Sequence, residues 1–231
     1  MITAAVQNRE VSSLPHESFV WVDLMKSKLK NLFDANERER GFNKLKITMS
    51  RSYKFHNPEG LYFVSFAVVE WLDVFTQNLY KDILVESLSF CQQNKGMEIV
   101  AWCIMTDHVH LIFRSIKEQR PELLLGDFKR FTSKAIIKTI KENPQESRKD
   151  FLLEHFRKAA KQSSNVKNYQ FWQHDNKPIE LWSNSVIQEK IDYIHQNPVE
   201  EELVFRPEDY LYSSAVDYAG EKGLLKDIVI F

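Results

Sequence analysis

The stretch Met97–Ile116, MEIVAWCIMTDHVHLIFRSI, contains two apolar runs on either side of Thr106-Asp107. Runs of this length around a two-residue polar break are typical of two buried strands joined by a tight turn. We therefore predict an antiparallel hairpin with strands at Met97–Met105 and His108–Ile116.

The second strand of this hairpin carries two histidines in a suggestive arrangement. His108 and His110 are two residues apart, so their side chains point to the same face of a strand, whereas Val109 points to the other face. Two neutral imidazoles on one face can hold one metal ion between them. Such a half-site still needs a further ligand and a reacting group from elsewhere in the chain.

The elements around the hairpin indicate an α+β fold. The predicted order is strand, helix, strand, strand, helix, strand and a closing helix, and no element is predicted in the polar, basic stretch that ends at Lys167. This order describes a ferredoxin-like or RRM-like βαββαβ sandwich, an antiparallel sheet with helices on one face, followed by a C-terminal helix. The predicted flanking elements are a strand at Gly60–Val69, a helix at Phe75–Gln93, a helix at Pro121–Lys141, a short aromatic strand at Tyr169–Gln173 and a helix from Ser185 to Pro198.

Two parts of the chain are distinguished by their pattern. Residues 1–48 are predicted to be an N-terminal extension, partly helical because Val22, Met25, Leu29 and Leu32 fit one helical stripe. Residues 49–231 are predicted to form a single domain.

Composition narrows the class of protein. With 231 residues, 43% of them hydrophobic and 27% charged, the chain can bury one good core. Two cysteines argue against a disulfide framework, and no apolar run reaches the roughly 18 residues of a membrane span. These features predict a cytoplasmic protein without a membrane partner.

The charges are unevenly distributed although the net charge is −1. Arg114–Gln170 carries 14 Lys and Arg against 7 Asp and Glu, whereas Phe171–Phe231 carries 5 against 12. A locally cationic segment attracts a phosphate backbone, although a solvated basic helix explains the same charges. The candidate DNA-binding residues are Lys129, Arg130, Lys134 and Lys138 on the predicted second helix, together with Lys190.

The helix that begins at Ser185 supplies the missing groups. Its buried stripe consists of Ile187, Ile191 and Ile194. Lys190, Tyr193 and Asn197 then share the adjacent face, because residues three and four apart are neighbours on a helix. If this helix packs beside the histidine strand, Asn197 can offer an amide oxygen as a third ligand and Tyr193 a phenol oxygen.

Three segments in order resemble a known family. They are Ala101–Phe113 (AWCIMTDHVHLIF), Phe171–Ser183 (FWQHDNKPIELWS) and Asp192–Ser214 (DYIHQNPVEEELVFRPEDYLYSS). They resemble the single-tyrosine HUH transposases of the IS200 type and, within them, the REP-associated tyrosine transposases. Thr106-Asp107 departs from the Pro-Asn or Pro-Glu pair that often precedes the first histidine in that family.

The resemblance implies an enzyme. His108, His110 and Asn197 match its metal ligands, and Tyr193 matches its nucleophile. The implied activity is metal-dependent cleavage and strand transfer of single-stranded or hairpin DNA, such as repetitive extragenic palindromes, through a 5′-phosphotyrosine. Two imidazoles and an amide favour Mn²⁺ over Mg²⁺, whereas the family precedent retains Mg²⁺. The protein is expected to be a monomer or a homodimer.

Other interpretations compete with this one. A histidine-triad hydrolase needs a third histidine where Ile112 stands. A rolling-circle nicking protein shares the histidines and a tyrosine but usually has a further domain, and a domesticated protein that only binds hairpin DNA remains an alternative. The remaining candidates, expected to be structural, DNA-contacting or in the core, are His174, His195, Trp102, Trp172 and Trp182, the last also suited to stacking on an unpaired base.

Overall fold

The computed structural model describes residues 54–117, 119–163 and 166–231. The predicted extension, residues 1–48, lies outside the described residues, so its boundary stays a prediction. In the part of the chain that is described, no helix is long and apolar enough to cross a membrane.

One four-stranded sheet forms the centre of the fold, and every neighbouring pair of strands is antiparallel, as predicted. The strand order is β2-β3-β1-β4. The Thr106-Asp107 turn joins β2 to β3 directly, which confirms the predicted hairpin. The strands are β1 Tyr62–Ala67, β2 Met97–Ile104, β3 His108–Ser115 and β4 Ile179–Glu180.

Five α-helices accompany the sheet among the described residues: α1 Asn78–Phe90, α2 Pro121–Glu142, α3 Lys149–Gln162, α4 Asn184–Glu200 and α5 Ala215–Tyr218. The sequence interpretation missed α3, because it treated this basic segment as irregular. The helix nevertheless has an apolar stripe, and Leu152, Leu153, Phe156 and Ala160 are buried. Amphipathic spacing was therefore present beneath a high density of charge.

The two faces of the sheet have different roles. Phe66 contacts Phe128 of α2, with ring centroids 6.1 Å apart. Phe63 contacts Tyr193 of α4, with ring centroids 6.0 Å apart. Because positions three apart in a strand face opposite sides, α2 and α4 lie on opposite faces. The main core is on the α2 face, and the predicted tyrosine helix is on the other.

The last strand differs from the prediction at Tyr169–Gln173. Trp172 forms only an isolated bridge with Val68, and β4 pairs with the start of β1 instead. Phe171 and Trp172 are buried because their rings fill the core, and Trp172 donates its indole N–H to Thr132 at 3.1 Å. Aromatic enrichment therefore marked a core contact here, not a regular strand.

Helix α4 begins earlier and ends later than the pattern indicated. Ser183, not Ser185, is its N-cap, and the Ser183 hydroxyl accepts from the Val186 N–H at 3.4 Å. Pro198 does not close the helix but lies inside its last turn, and α4 continues to Glu200. The proline removes one helical hydrogen bond, the one that an N–H at position 198 would donate to the Ile194 carbonyl, and the helix ends two residues later.

The outer edge of β2 is covered by the segment after α4. The Ile104 N–H donates to the Tyr212 carbonyl at 2.9 Å, and the Ser214 N–H donates to the Trp102 carbonyl at 3.0 Å. His195 of α4 lies 2.9 Å from the Ser214 hydroxyl, between Nε2 and Oγ. These contacts fix α4 relative to the hairpin that carries the histidines.

The N-cap assignment gives a stability test. We expect Ser183→Ala to lower the free energy of unfolding by about 1 kcal/mol, because the Val186 N–H then loses its acceptor. Chemical denaturation measures the change, and Ser185→Ala is the matched control, with an effect of about 0.5 kcal/mol or less. A larger loss from Ser185→Ala than from Ser183→Ala would contradict the assignment.

Candidate active site

The two histidines of β3 converge on one point. The Nε2 atoms of His108 and His110 lie 3.0 Å apart, on the sheet face covered by α4. His108 is partly exposed, whereas His110 is buried. The strand alternation therefore directs two imidazole nitrogens to the same small volume next to solvent.

Each imidazole is held by its neighbours. Asp107 places a carboxylate oxygen 2.5 Å from His108 Nδ1, which orients that ring and leaves its Nε2 directed at His110. Phe63, which precedes Ser65 on β1, stacks on His110 with ring centroids 5.7 Å apart. Burial, together with the nearby His108, lowers the pKa of His110 to about 3, although a side-chain hydrogen bond with Asn197 acts in the opposite direction. A neutral His110 keeps a lone pair available for a metal ion.

Helix α4 brings Asn197 and Tyr193 to this point. The Asn197 side chain is buried, and its amide nitrogen donates to the Tyr193 carbonyl oxygen at 2.6 Å. That bond fixes the orientation of the amide, because a carbonyl accepts only from the nitrogen. The amide oxygen therefore remains available on the His110 side. The Tyr193 ring lies 5.3 Å from the His110 ring, between centroids, and is 43% exposed.

The donor set fits a hard or borderline divalent cation. Two ligands at adjacent corners of an octahedron, each about 2.1 Å from a cation, are about 3.0 Å apart, which is the separation of the two Nε2 atoms. A carboxylate on the outer nitrogen of a ligand histidine is a common second partner in metal sites. In the described residues there is no group of three or more His, Cys, Asp or Glu side chains suited to a metal. Any metal here would depend on the histidine pair with the Asn197 amide.

The predicted DNA-binding residues lie on both sides of the sheet. Lys190 is beside the site, its ammonium 5.7 Å from the Tyr193 ring centroid and 3.0 Å from a Glu189 carboxylate oxygen. Arg130, Lys134 and Lys138 are exposed on α2, behind the sheet as viewed from Tyr193. Arg130 pairs with Asp127 at 3.0 Å, and Lys138 with Glu142 at 3.9 Å.

Lys129 has a different environment from the other three. Its ammonium donates to the Gln173 carbonyl at 2.9 Å and to the Asn176 side chain. Both acceptors lie in the loop between Trp172 and β4. Burial lowers the pKa of Lys129 to about 7. The structure thus gives this lysine contacts within the protein, whereas its expected contact with DNA stays a prediction.

Sequence reasoning missed two aromatic neighbours of the site. Phe63 could have been found from strand alternation once β1 is paired with β3. Trp71 follows β1, and its ring meets the edge of His108 with centroids 6.0 Å apart. Nothing in the local sequence pattern indicated that contact. Trp182, expected in the core or against a base, is 81% exposed, while Trp102 and Trp172 are buried as predicted.

Comparison with known proteins shows a similarity over part of the chain. Residues 66–170 match the family described as "Transposase IS200 like", a segment that includes both histidines. This segment of the chain is therefore similar to the IS200-like transposases. Tyr193 and Asn197 lie beyond the matched segment, so their roles are argued from geometry.

The fold of this protein is similar to that of a solved REP-associated tyrosine transposase bound to a REP hairpin. The TM-score is 0.54 at 18% identity, over 79% of this chain and 95% of that one. A crystal structure described as a candidate transposase from Deinococcus radiodurans R1 gives a TM-score of 0.35 at 18% identity, over 64% of this chain and 98% of that one. Comparison with curated proteins gives no match.

Proposed function

We propose that this protein is a transposase of the IS200 type, a metal-dependent DNA endonuclease and strand transferase that acts on single-stranded DNA beside a hairpin. The observation that carries the proposal is the convergence of two imidazole nitrogens, 3.0 Å apart, next to the partly exposed Tyr193. The Tyr193 phenol is a nucleophilic side chain that solvent reaches, and a phosphodiester is the bond on which transposases act. The solved relative, whose fold is similar, is bound to a hairpin.

In the proposed reaction, Tyr193 Oη attacks a phosphorus atom of the DNA backbone. A bond forms between that oxygen and phosphorus, and the bond from phosphorus to the 3′ oxygen of the preceding nucleotide breaks. The phenol loses its proton, and the departing oxygen takes one up to become a 3′-hydroxyl. The 5′-phosphotyrosine conserves a phosphodiester bond, so another 3′-hydroxyl can reverse the step without ATP.

His108, His110 and Asn197 would hold the divalent cation, Mn²⁺ or Mg²⁺. When bound, it would polarise the scissile phosphate and stabilise charge that develops on its oxygens. Asp107 keeps the His108 ring in its orientation, and the Tyr193 carbonyl does the same for Asn197. Lys190 adds a positive charge on the same side, where it can meet a phosphate.

We propose that the duplex stem of the hairpin binds to the basic face of α2. Its exposed arginine and lysines can contact phosphates without reading sequence. Because α2 and α4 lie on opposite faces of the sheet, a stem on α2 must send its single-stranded flank round a sheet edge to reach Tyr193. An unpaired flank is flexible enough for such a path, whereas regular duplex is not.

The first functional prediction concerns the nucleophile. Tyr193→Phe should lower formation of a covalent protein–DNA adduct by about 10³-fold or more, because it removes the attacking oxygen and little else. End-labelled hairpin DNA with Mn²⁺, resolved on a denaturing gel, reports the adduct and shows that it contains the strand 3′ of the nick. Tyr169→Phe is the matched control and should leave the adduct unchanged. An adduct that survives in Tyr193→Phe would place the nucleophile elsewhere.

A second prediction separates the metal from DNA binding. His108→Ala and His110→Ala should each lower cleavage by about 100-fold or more, while the Kd for DNA changes little, since most binding energy comes from phosphate contacts. Asn197→Ala should lower cleavage by about tenfold, because water can replace a neutral amide ligand. Single-turnover cleavage and filter binding give the two quantities, with His174→Ala as the exposed control. Equal losses of cleavage and binding would indicate a structural role for the histidines.

The placement of the stem is tested by salt dependence. Arg130→Gln/Lys134→Gln should weaken binding of hairpin DNA and reduce the slope of log K against log salt by up to about 2. Lys222→Gln/Lys226→Gln removes the same charge from an exposed acidic region and should leave the slope unchanged. An unaltered slope in the α2 variant would contradict this placement.

A further inference from the structure

The turn that follows β1 is held in an unusual backbone conformation. Glu70 and Trp71 have φ values of +56° and +55°, in the left-handed region. Glycine or asparagine is common there, whereas a bulky residue such as tryptophan is rare because its Cβ crowds the backbone. Two consecutive residues of this kind persist only where the surrounding contacts determine the conformation.

Three contacts determine the shape of this turn. The Val68 N–H donates to the carbonyl of Asp107, next to His108, at 2.8 Å. The Val69 N–H donates to the Phe171 carbonyl at 2.8 Å. The Glu70 carboxylate lies 2.5 Å from His155 Nδ1 on α3. The turn is therefore fixed relative to both the histidine hairpin and α3.

The strained turn presents an indole to solvent and not to the core. Trp71 is 57% exposed, and its ring meets that of His108 edge to face, at an interplanar angle of 74°. A tryptophan that packed for stability would bury most of its surface. Here the constrained backbone places a broad aromatic surface beside the proposed metal ligand His108, with ring centroids 6.0 Å apart.

We infer that Trp71 is a stacking platform for one unpaired base of the DNA strand that enters the His108–His110 site. This inference rests on the proposed function and adds a residue that positions the substrate. A flat aromatic ring stacks on any base, so the contact would favour an unpaired flank over duplex without reading sequence. Stacking would also restrict the adjacent phosphate to the neighbourhood of His108 and Tyr193.

The test compares two DNA probes with the full chain, in EDTA so that no strand is cut. One probe is a hairpin of about 12 base pairs with no flank, and the other adds a thymidine flank of about eight nucleotides, on each side of the stem in turn. Trp71→Gly is the main variant, because glycine adopts the positive φ without strain and the fold is retained. Trp182→Ala, which removes the other highly exposed described indole, is the matched control.

Trp71→Gly should raise the Kd of the flanked hairpin about 5- to 100-fold and leave the Kd of the bare hairpin unchanged. Trp71→Phe should restore most of the affinity. With 2-aminopurine at successive flank positions, fluorescence quenching on binding should disappear at one position in Trp71→Gly and persist in Trp182→Ala. An abasic site at that position should abolish the difference between wild type and Trp71→Gly.

Several results would overturn the inference. One is an equal Kd of wild type and Trp71→Gly for the flanked probe. Another is an equal loss of affinity in Trp71→Gly for the flanked and the bare probe. A third is 2-aminopurine quenching that depends on Trp182 instead of Trp71. Loss of Mn²⁺ affinity in Trp71→Gly with normal flank binding would instead make Trp71 a support for His108. Failure of the wild-type protein to bind either probe would reject the proposed function as well. If Trp71→Gly binds and cleaves the flanked DNA as the wild type does, only this inference is rejected.

Discussion

The pairing of β3 with β1 is the constraint on which the rest of the structure depends. Ser65 lies opposite His110 and Ala67 opposite His108, so both imidazoles face the same side of the sheet. A shift of one residue would turn them into the core and bring Val109 and Leu111 out, at a large cost in buried apolar area. The apolar residues that alternate with the histidines on β3 thus fix the orientation of the histidines, because only one register buries these apolar side chains in the core.

The second requirement is a fixed α4. Its isoleucine stripe packs on the sheet, and His195 joins it to Ser214 in the segment that covers the edge of β2. Burial lowers the pKa of His195 to about 4, so this imidazole is neutral and suited to a structural hydrogen bond. The helix therefore holds Tyr193 and Asn197 at a fixed position relative to the histidines. A site built from two separate elements needs such a fixed relative position.

The sequence predicted the hairpin, the α+β class and the group of candidate site residues, because each depends on local spacing. Residues two apart on a strand share a face, and so do residues four apart on a helix, wherever the element forms. The sequence interpretation missed α3 because a high density of charge obscured an apolar stripe that was present. It failed elsewhere because tertiary packing outweighed a local rule: Phe171 and Trp172 fill the core instead of extending a strand, and Pro198 is accommodated within α4.

By itself, then, the sequence determined which side chains share a face: His108 with His110, and Lys190 with Tyr193 and Asn197. Only the tertiary structure decided that these two faces meet, that the basic face of α2 lies behind the sheet from Tyr193, and that Lys129 contacts a loop. It also decided that Trp71 stands beside His108, since that contact joins residues 37 positions apart through a strained turn. Periodicity fixes directions within one element, whereas distances between elements follow from packing over the whole core.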